Sequence, residues 1–336
     1  MARLTSFSRL LITLVIVAGV FFAVKTFLPQ IRSAVSGTEN TETSAENAQT
    51  TGNQESTNTS TSSPWGKSSS SFNYAAPAPV GGTLKGVVEL GATGFNSFII
   101  NVDSRKNWKL EKADYGASLV YENLATDDDI KMGLKSYIAD MLAYGVGPKN
   151  IHFVISSGAQ KSDITQKISS VLKGMGYYVN EVTPEQEAKL ALKSCLPQSF
   201  ENRAFVVDIG SGNTKISWMQ GGAPVGAKEL PGAKYYQKNM LDDAVFREVR
   251  AEATKVPSDK RGTCFIIGGI PFELAKEVRQ GKERYTVLKA PGDYVPEGDK
   301  QKSGINIYKA IADATGCKQF VFDWDANFTI GFLLNL

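Results

Sequence analysis

Apolar and polar positions along this chain fall into short alternating or wholly apolar runs, separated by stretches of helical periodicity and by Gly-rich turns. Residues 87–90 read as a strand, 91–95 as a turn and 96–102 as a returning strand, and 108–119 adds a third. Thr126 and Asp127-Asp128-Asp129 supply a start signal for a helix in which Ile130, Leu134, Ile138, Met141 and Leu142 recur at helical spacing; Gly145 and Gly147-Pro148 end it. The pattern then predicts a buried strand at 151–155, a helix over 163–173, a strand at 177–179 and a helix opened by Pro184 in its first turn. The same grammar returns further on. Strand, turn and strand occupy 205–218, helical material spans 240–254, a buried strand lies at 263–267, and helices follow over 272–279 and 305–314, with apolar segments at 319–325 and 330–334. A strand ending in an acid before a Gly turn occurs twice, each time followed by helices and strands. That repetition predicts two related halves facing each other across a cleft.

The stretch 205–218 carries the clearest chemistry. An apolar run ends in Asp208, and the turn after it places Gly210 and Gly212 on either side of Ser211. Glycine there brings backbone N–H groups close to an anion, and Asn213 and Thr214 add side-chain donors, so the hairpin reads as a phosphate cradle. A Gly-rich hairpin turn without a ligand is the alternative reading. Along the returning strand, Thr214, Ile216 and Trp218 share one face, with Lys215 and Ser217 on the other. Asp208 is placed to hold a metal ion or orient a water. Gly268-Gly269 before a helix is a third candidate anion loop.

Before residue 84 the pattern is of a different kind. From Leu10 to Leu28 the only charge is Lys25, and the run is close to the roughly 20 residues that cross a bilayer. An uncleaved single-pass anchor fits better than a secretory signal, since the run is long and no small-x-small cleavage site follows it directly. Arg3 and Arg9 lean toward a cytoplasmic N-terminus, which places the rest of the chain outside the cytoplasm. Residues 33–83 are dominated by Ser, Thr, Asn, Gly and Gln, with Trp65, Phe72 and Tyr74 as isolated aromatics, and read as a disordered tether with a span of roughly 40 Å. The expected organisation is a membrane anchor over 1–32, this linker over 33–83, a first half over 84–202 and a second over 203–336.

Composition narrows the chemistry. A formal charge of +3 in 336 residues, without a basic stripe, points away from nucleic acid. His152 is the only histidine, in a predicted strand, so a His-based triad or zinc site is not expected. Cys195, Cys264 and Cys317 are widely spaced and read as buried apolar residues.

The order of these motifs resembles the actin, sugar kinase and heat-shock chaperone superfamily, and within it the exopolyphosphatase and guanosine pentaphosphate phosphatase (Ppx/GppA) family. The stretch from Asp208 to Lys215 is similar to that family's second phosphate loop. Glu89-Leu90-Gly91 with Asn96-Ser97-Phe98 is similar to its first, and the segment from Thr183 to Leu190 to its Glu-rich helix start. Leu230-Pro231-Gly232-Ala233, Gly268-Gly269 and the segment from Asn327 to Leu333 fall where the family has comparable segments. The resemblance covers 85–336 and implies an α/β, duplicated ribonuclease H-like (actin-like) fold of two subdomains with an interdomain cleft. It further implies polyphosphate or a phosphorylated nucleotide as ligand and Mg²⁺ as cofactor, with Asp208 and Glu89 as metal acids. Glu89, Asp208 and Glu187 would be catalytic. Gly91, Asn96, Ser97, Gly210, Ser211, Gly212, Asn213, Thr214, Lys215, Lys161, Gly268 and Gly269 would hold phosphate, and a homodimer is left open. Two departures bear on activity: Lys161 stands where the family's proposed catalytic glutamate falls, and Lys215 replaces the loop acid after Thr214. A charged lysine is no general base. Three readings follow, in different classes: a membrane-tethered phosphohydrolase, a phosphate or nucleotide sensor that has lost its base, and an actin-like assembly ATPase.

Overall fold

The structure, a computed structural model, describes residues 72–91, 94–115, 127–160, 163–226 and 228–336. The expected membrane span and most of the expected tether lie outside the described residues, as does Lys161. Among the described residues no helix is long and apolar enough to cross a membrane.

Two mixed sheets form the frame. The first runs in the order β3-β2-β1-β4-β5, from β1 (Thr83–Gly91), β2 (Gly94–Val102), β3 (Trp108–Tyr115), β4 (Ile151–Ile155) and β5 (Val179–Glu181). The second runs β11-β12-β10-β6-β7-β8, from β6 (Ala204–Ile209), β7 (Asn213–Gln220), β8 (Ala223–Gly226), β10 (Thr263–Ile267), β11 (Tyr285–Val287) and β12 (Phe320–Asp323), with the short β9 (Leu230–Pro231) pairing β7. In each sheet an antiparallel hairpin and third strand lie on one side of a lead strand and two parallel strands lie on the other, with β11 added antiparallel at the edge of the second. The repeat expected from the two acid-ended hairpins is therefore present as a shared strand order.

Helices fill three layers around these sheets. The outer face of the first sheet, with Val88, Leu90, Phe153 and Ile155, packs on α1 (Asp127–Tyr144) and α2 (Asp163–Gly174) through Ile130, Leu134, Ile168 and Leu172. The outer face of the second, with Phe205, Val207, Ile216 and Trp218, packs on α4 (Asp242–Ala253), α5 (Gly269–Lys276) and α6 (Gly298–Thr315). Between the sheets lie α3 (Pro184–Cys195) and α7 (Phe328–Asn335), whose Leu190, Ala191, Ile330 and Leu333 meet Val87 and Phe98 on one side and Val206 and Phe265 on the other. The C-terminal helix thus crosses back onto β1, and the two helices pack directly on each other. That crossing depends on Gly331, where a Cβ would collide with the backbone carbonyl of Leu190.

Several elements differ from the sequence expectation. The helix expected over 305–314 begins two turns earlier at Gly298, since its first turns are polar and carry no apolar stripe. The segment 330–334 is helical, and α5 starts at Gly269 rather than at 272. The ordered chain also reaches back beyond residue 84. Phe72 and Tyr74 seat their rings against Phe200 and Tyr285, with centroids 5.4 to 5.6 Å apart, and Phe72 also meets Phe265 at 5.6 Å. Isolated aromatics in a polar stretch carry no periodicity, which is why the pattern hides this docking. The three cysteines are free and buried.

Candidate active site

Strand parity decides which side chains enter the space between the sheets. On β1, Val87 faces the middle layer and so does Glu89; on β2, Asn96 shares the face of Phe98 and Ile100. On β6, Asp208 follows Val206, and on β7, Lys215 and Ser217 oppose the outward Ile216 and Trp218. These side chains meet at the open end of the middle layer, in a cavity of about 490 Å³ lined by Glu89, Asn96, Glu187, Asp208, Asn213 and Lys215 together with the glycine turns. That volume lies within the usual range of small-molecule sites.

Glu89 is buried, and its Oε2 accepts hydrogen bonds from Asn96 Nδ2 and Asn327 Nδ2, each at 3.1 Å. Asn96 sits directly across the hairpin, and Asn327 caps α7 by accepting the Thr329 N–H at 2.8 Å. Burial pushes the Glu89 carboxyl up to about 7; the two carboxamides pull the other way, and the charges of Glu187 and Asp208 add to the push.

Glu187 stands in the first turn of α3, whose start is fixed by a capping box: the Thr183 hydroxyl accepts the Gln186 N–H, and the Gln186 side chain accepts the Thr183 N–H. Its carboxylate accepts the Ser157 N–H at 2.6 Å and the Ser157 hydroxyl at 2.9 Å, which ties the loop after β4 to the helix. Asn213 Nδ2 donates to Ser157 Oγ at 3.1 Å and to Glu229 at 2.8 Å. Lys215 is buried and ion-paired to Glu187, with Asp208 Oδ2 3.7 Å from its ammonium. Burial disfavours that ammonium, but the charges of Asp208 and Glu187 outweigh it and raise its pKa above the ordinary lysine value.

The turns differ in what they offer. Gly210 donates its N–H to the Asn213 carbonyl at 3.0 Å, so that group closes the hairpin, while Ser211 and Gly212 form the tip that lines the cavity. Gly268 has φ of 104°, and a Cβ there would lie 2.8 Å from Asp208 Oδ1 as well as striking the Ile209 carbonyl. Only glycine lets the β10–α5 loop approach the acid so closely. Gly91 and Gly269 also line the cavity. Two expected phosphate ligands lie elsewhere. Ser97 shares the parity of Ile99 and points into the outer layer, and the Thr214 hydroxyl donates to the Pro231 carbonyl at 2.9 Å, on the face of Ile216.

Three contributors were not marked by the sequence pattern. Ser157 and Asn327 act through side-chain hydrogen bonds to Glu187 and Glu89, formed by residues distant in sequence. The third is an aromatic wall: Phe272 and Trp324 stand with centroids 5.4 Å apart, and Tyr115 lies 6.1 Å from Phe272. Lys276 holds its ammonium 4.4 Å above the Phe272 ring at the same wall.

The donor set does not fit a divalent ion as arranged. Among the described residues no group of three or more His, Cys, Asp or Glu side chains is disposed to hold one. Asp208 and Glu187 already flank the Lys215 ammonium. A divalent ion about 4 Å from that ammonium would meet a repulsion of about 8 kcal/mol at an effective dielectric of about 20, which cancels the attraction of one carboxylate at the same distance.

No protein-family model matches this sequence, and no curated protein does. Solved structures do. The Aquifex aeolicus PPX-GPPA enzyme is 18% identical, with a TM-score of 0.58 over 76% of this chain and 99% of that one. Another structure of the Aquifex aeolicus Ppx/GppA family member gives 19% identity and 0.57, over 75% and 97%. An exopolyphosphatase from Cytophaga hutchinsonii gives 13% and 0.55, over 75% and 98%. At these identities the likeness is one of fold: the described chain has the two-sheet α/β architecture of Ppx/GppA phosphatases, as the motif order implied.

Proposed function

We propose that this chain is a phosphohydrolase of the Ppx/GppA kind that removes a terminal phosphate from a phosphorylated nucleotide, held near a membrane by the apolar span at 10–28. One observation carries this reading: Glu89, Glu187 and Asp208 enter a single cavity together with the Ser211-Gly212 tip and the Gly268-Gly269 turn. Backbone N–H groups at such turns cradle phosphate oxygens. Glu89 takes the part of general base. Its Oε2 is held by Asn96 and Asn327, leaving Oε1 to accept the proton of an attacking water, and a pKa of about 7 suits proton transfer at neutral pH. The water oxygen bonds to the terminal phosphorus as the anhydride P–O bond breaks, one water proton passes to Glu89, the bridging oxygen keeps the bonding pair and leaves on the shortened nucleotide, and the terminal group is released as inorganic phosphate. No step is routed through a metal ion, for the reason given by Lys215. Catalysis then rests on positioning and electrostatics.

A nucleotide is preferred to a polyphosphate chain because of what lines the cavity. Tyr115, Phe272 and Trp324 offer a wall for a planar base, whereas among the described residues the lining acids Glu89, Glu187 and Asp208 face Lys215 and Lys276 as the lining cations. A long polyanion is poorly served by that balance. The second reading is a binder without turnover, favoured by the ion pairing that occupies Asp208 and Glu187. Phosphate release from guanosine pentaphosphate, from nucleoside triphosphates and from polyphosphate decides between them. Release from the nucleotides that falls by about a hundredfold or more in Glu89→Gln supports the hydrolase. Saturable nucleotide binding with no release supports the binder. Protease accessibility in sealed cells tests the extracytoplasmic placement of the domain.

A further inference from the structure

The two hairpins carry their acids at the same register and then differ in one respect. Glu89 on β1 stands opposite Asn96 on β2, and Asp208 on β6 stands opposite Lys215 on β7. The first acid meets a neutral carboxamide, the second a cation. Lys215 comes from the strand face that looks into the middle layer, so its ammonium reaches across to Glu187 on α3 as well as to Asp208. It thereby ties the second sheet to the helix layer at the point where the cavity opens, and it lines that cavity.

We propose that the Lys215 ammonium, standing between Asp208 and Glu187, is the resident cation of this cleft, so that the site holds and acts on phosphate without Mg²⁺. The inference rests on the hydrolase reading for the word "acts", but not for the cation itself. A buried ammonium needs opposed charge to be tolerated, and the two carboxylates supply it. The ammonium has three N–H donors; Glu187 accepts one, which leaves capacity for a phosphate oxygen at the Ser211-Gly212 tip. Covalent attachment removes the need to recruit a cation from solution. It also gives the site a single charge where a metal would give two, which suits a ligand whose remaining contacts are backbone N–H groups and an aromatic wall.

Mn²⁺ binding to the full chain in detergent, read by electron paramagnetic resonance, tests this without recourse to activity. The wild type should show no saturable Mn²⁺ site that depends on Asp208. Lys215→Ala, which removes the ammonium from both carboxylates, should gain a saturable site, lost again when Asp208→Asn is added. Saturable binding by the wild type that Asp208→Asn abolishes would overturn the proposal, and this comparison stands even if Lys215→Ala does not fold. Phosphate release adds a second arm. Equal release in Mg²⁺ and in EDTA supports the proposal, and release that requires Mg²⁺ overturns it while leaving the hydrolase reading in place. No release under either condition, with the Mn²⁺ result as expected, removes the hydrolase reading and keeps Lys215 as the cation of a binding cleft.

Discussion

Replacing Glu89 with Gln should change how stability depends on pH, in a direction fixed by the burial of this carboxyl. In the folded protein its pKa is pushed from 4.5 up to about 7, with burial as the leading cause. The native state therefore binds the proton more tightly than the unfolded chain does. Stability from this group is fully present below the unfolded value and is lost as pH rises through 7. Between pH 5 and pH 8.5 the two titrations differ by about 2 to 3 kcal/mol of unfolding free energy. Gln keeps an oxygen that can accept from Asn96 and Asn327 but cannot ionise, so it removes this slope. Urea unfolding followed by tryptophan fluorescence, at several pH values across that window, gives the difference between wild type and Glu89→Gln. The variant should gain on the wild type steadily as pH rises. A difference that stays constant within about 0.5 kcal/mol would show that Glu89 ionises as an ordinary surface carboxylate, and the argument for a base poised near neutrality would go with it.

Two further substitutions test the frame that holds the site. Gly331→Ala places a methyl group against the Leu190 backbone carbonyl where α3 and α7 cross, and should cost about 3 kcal/mol in denaturant unfolding; a loss within about 0.5 kcal/mol would mean that the helices separate easily. Joint Phe72→Ala and Tyr74→Ala removes the rings seated on Phe200 and Tyr285 and should cost about 2 kcal/mol, with faster proteolytic cleavage ahead of β1.

The frame was legible in the sequence because its elements are periodic. The apolar runs at 151–155 and 263–267 and the two hairpins stand out, and their repetition is the duplicated strand order itself. Parity along β7 was equally readable, and it correctly separates Lys215 and Ser217 from Ile216 and Trp218. The same parity, applied to Ser97 and Thr214, places both hydroxyls in the outer layers; Thr214 entered the expected site as a donor of the Gly-rich hairpin, and Ser97 through the resemblance to phosphate loops. Other features had no local signal. Asn327 reaches Glu89 across 238 positions and Ser157 reaches Glu187 across 30, so neither pairing is visible in spacing. The polar opening of α6 lacks an apolar stripe because its burial is achieved by Gln301, Ser303 and Gly304. The aromatic wall draws Tyr115, Phe272 and Trp324 from three separate elements, and only the fold assembles it.

The central claim is that phosphate is held at the Ser211-Gly212 tip, within reach of Glu89, while a base lies on the aromatic wall. A crystal structure of the folded domain with a nucleotide whose terminal bridging oxygen is replaced by a methylene group tests it most directly. The terminal phosphate should lie against the Ser211-Gly212 amides and Lys215, and the base against Phe272 and Trp324. A cleft left empty at saturating analogue, or a nucleotide seated elsewhere on the domain, would contradict it.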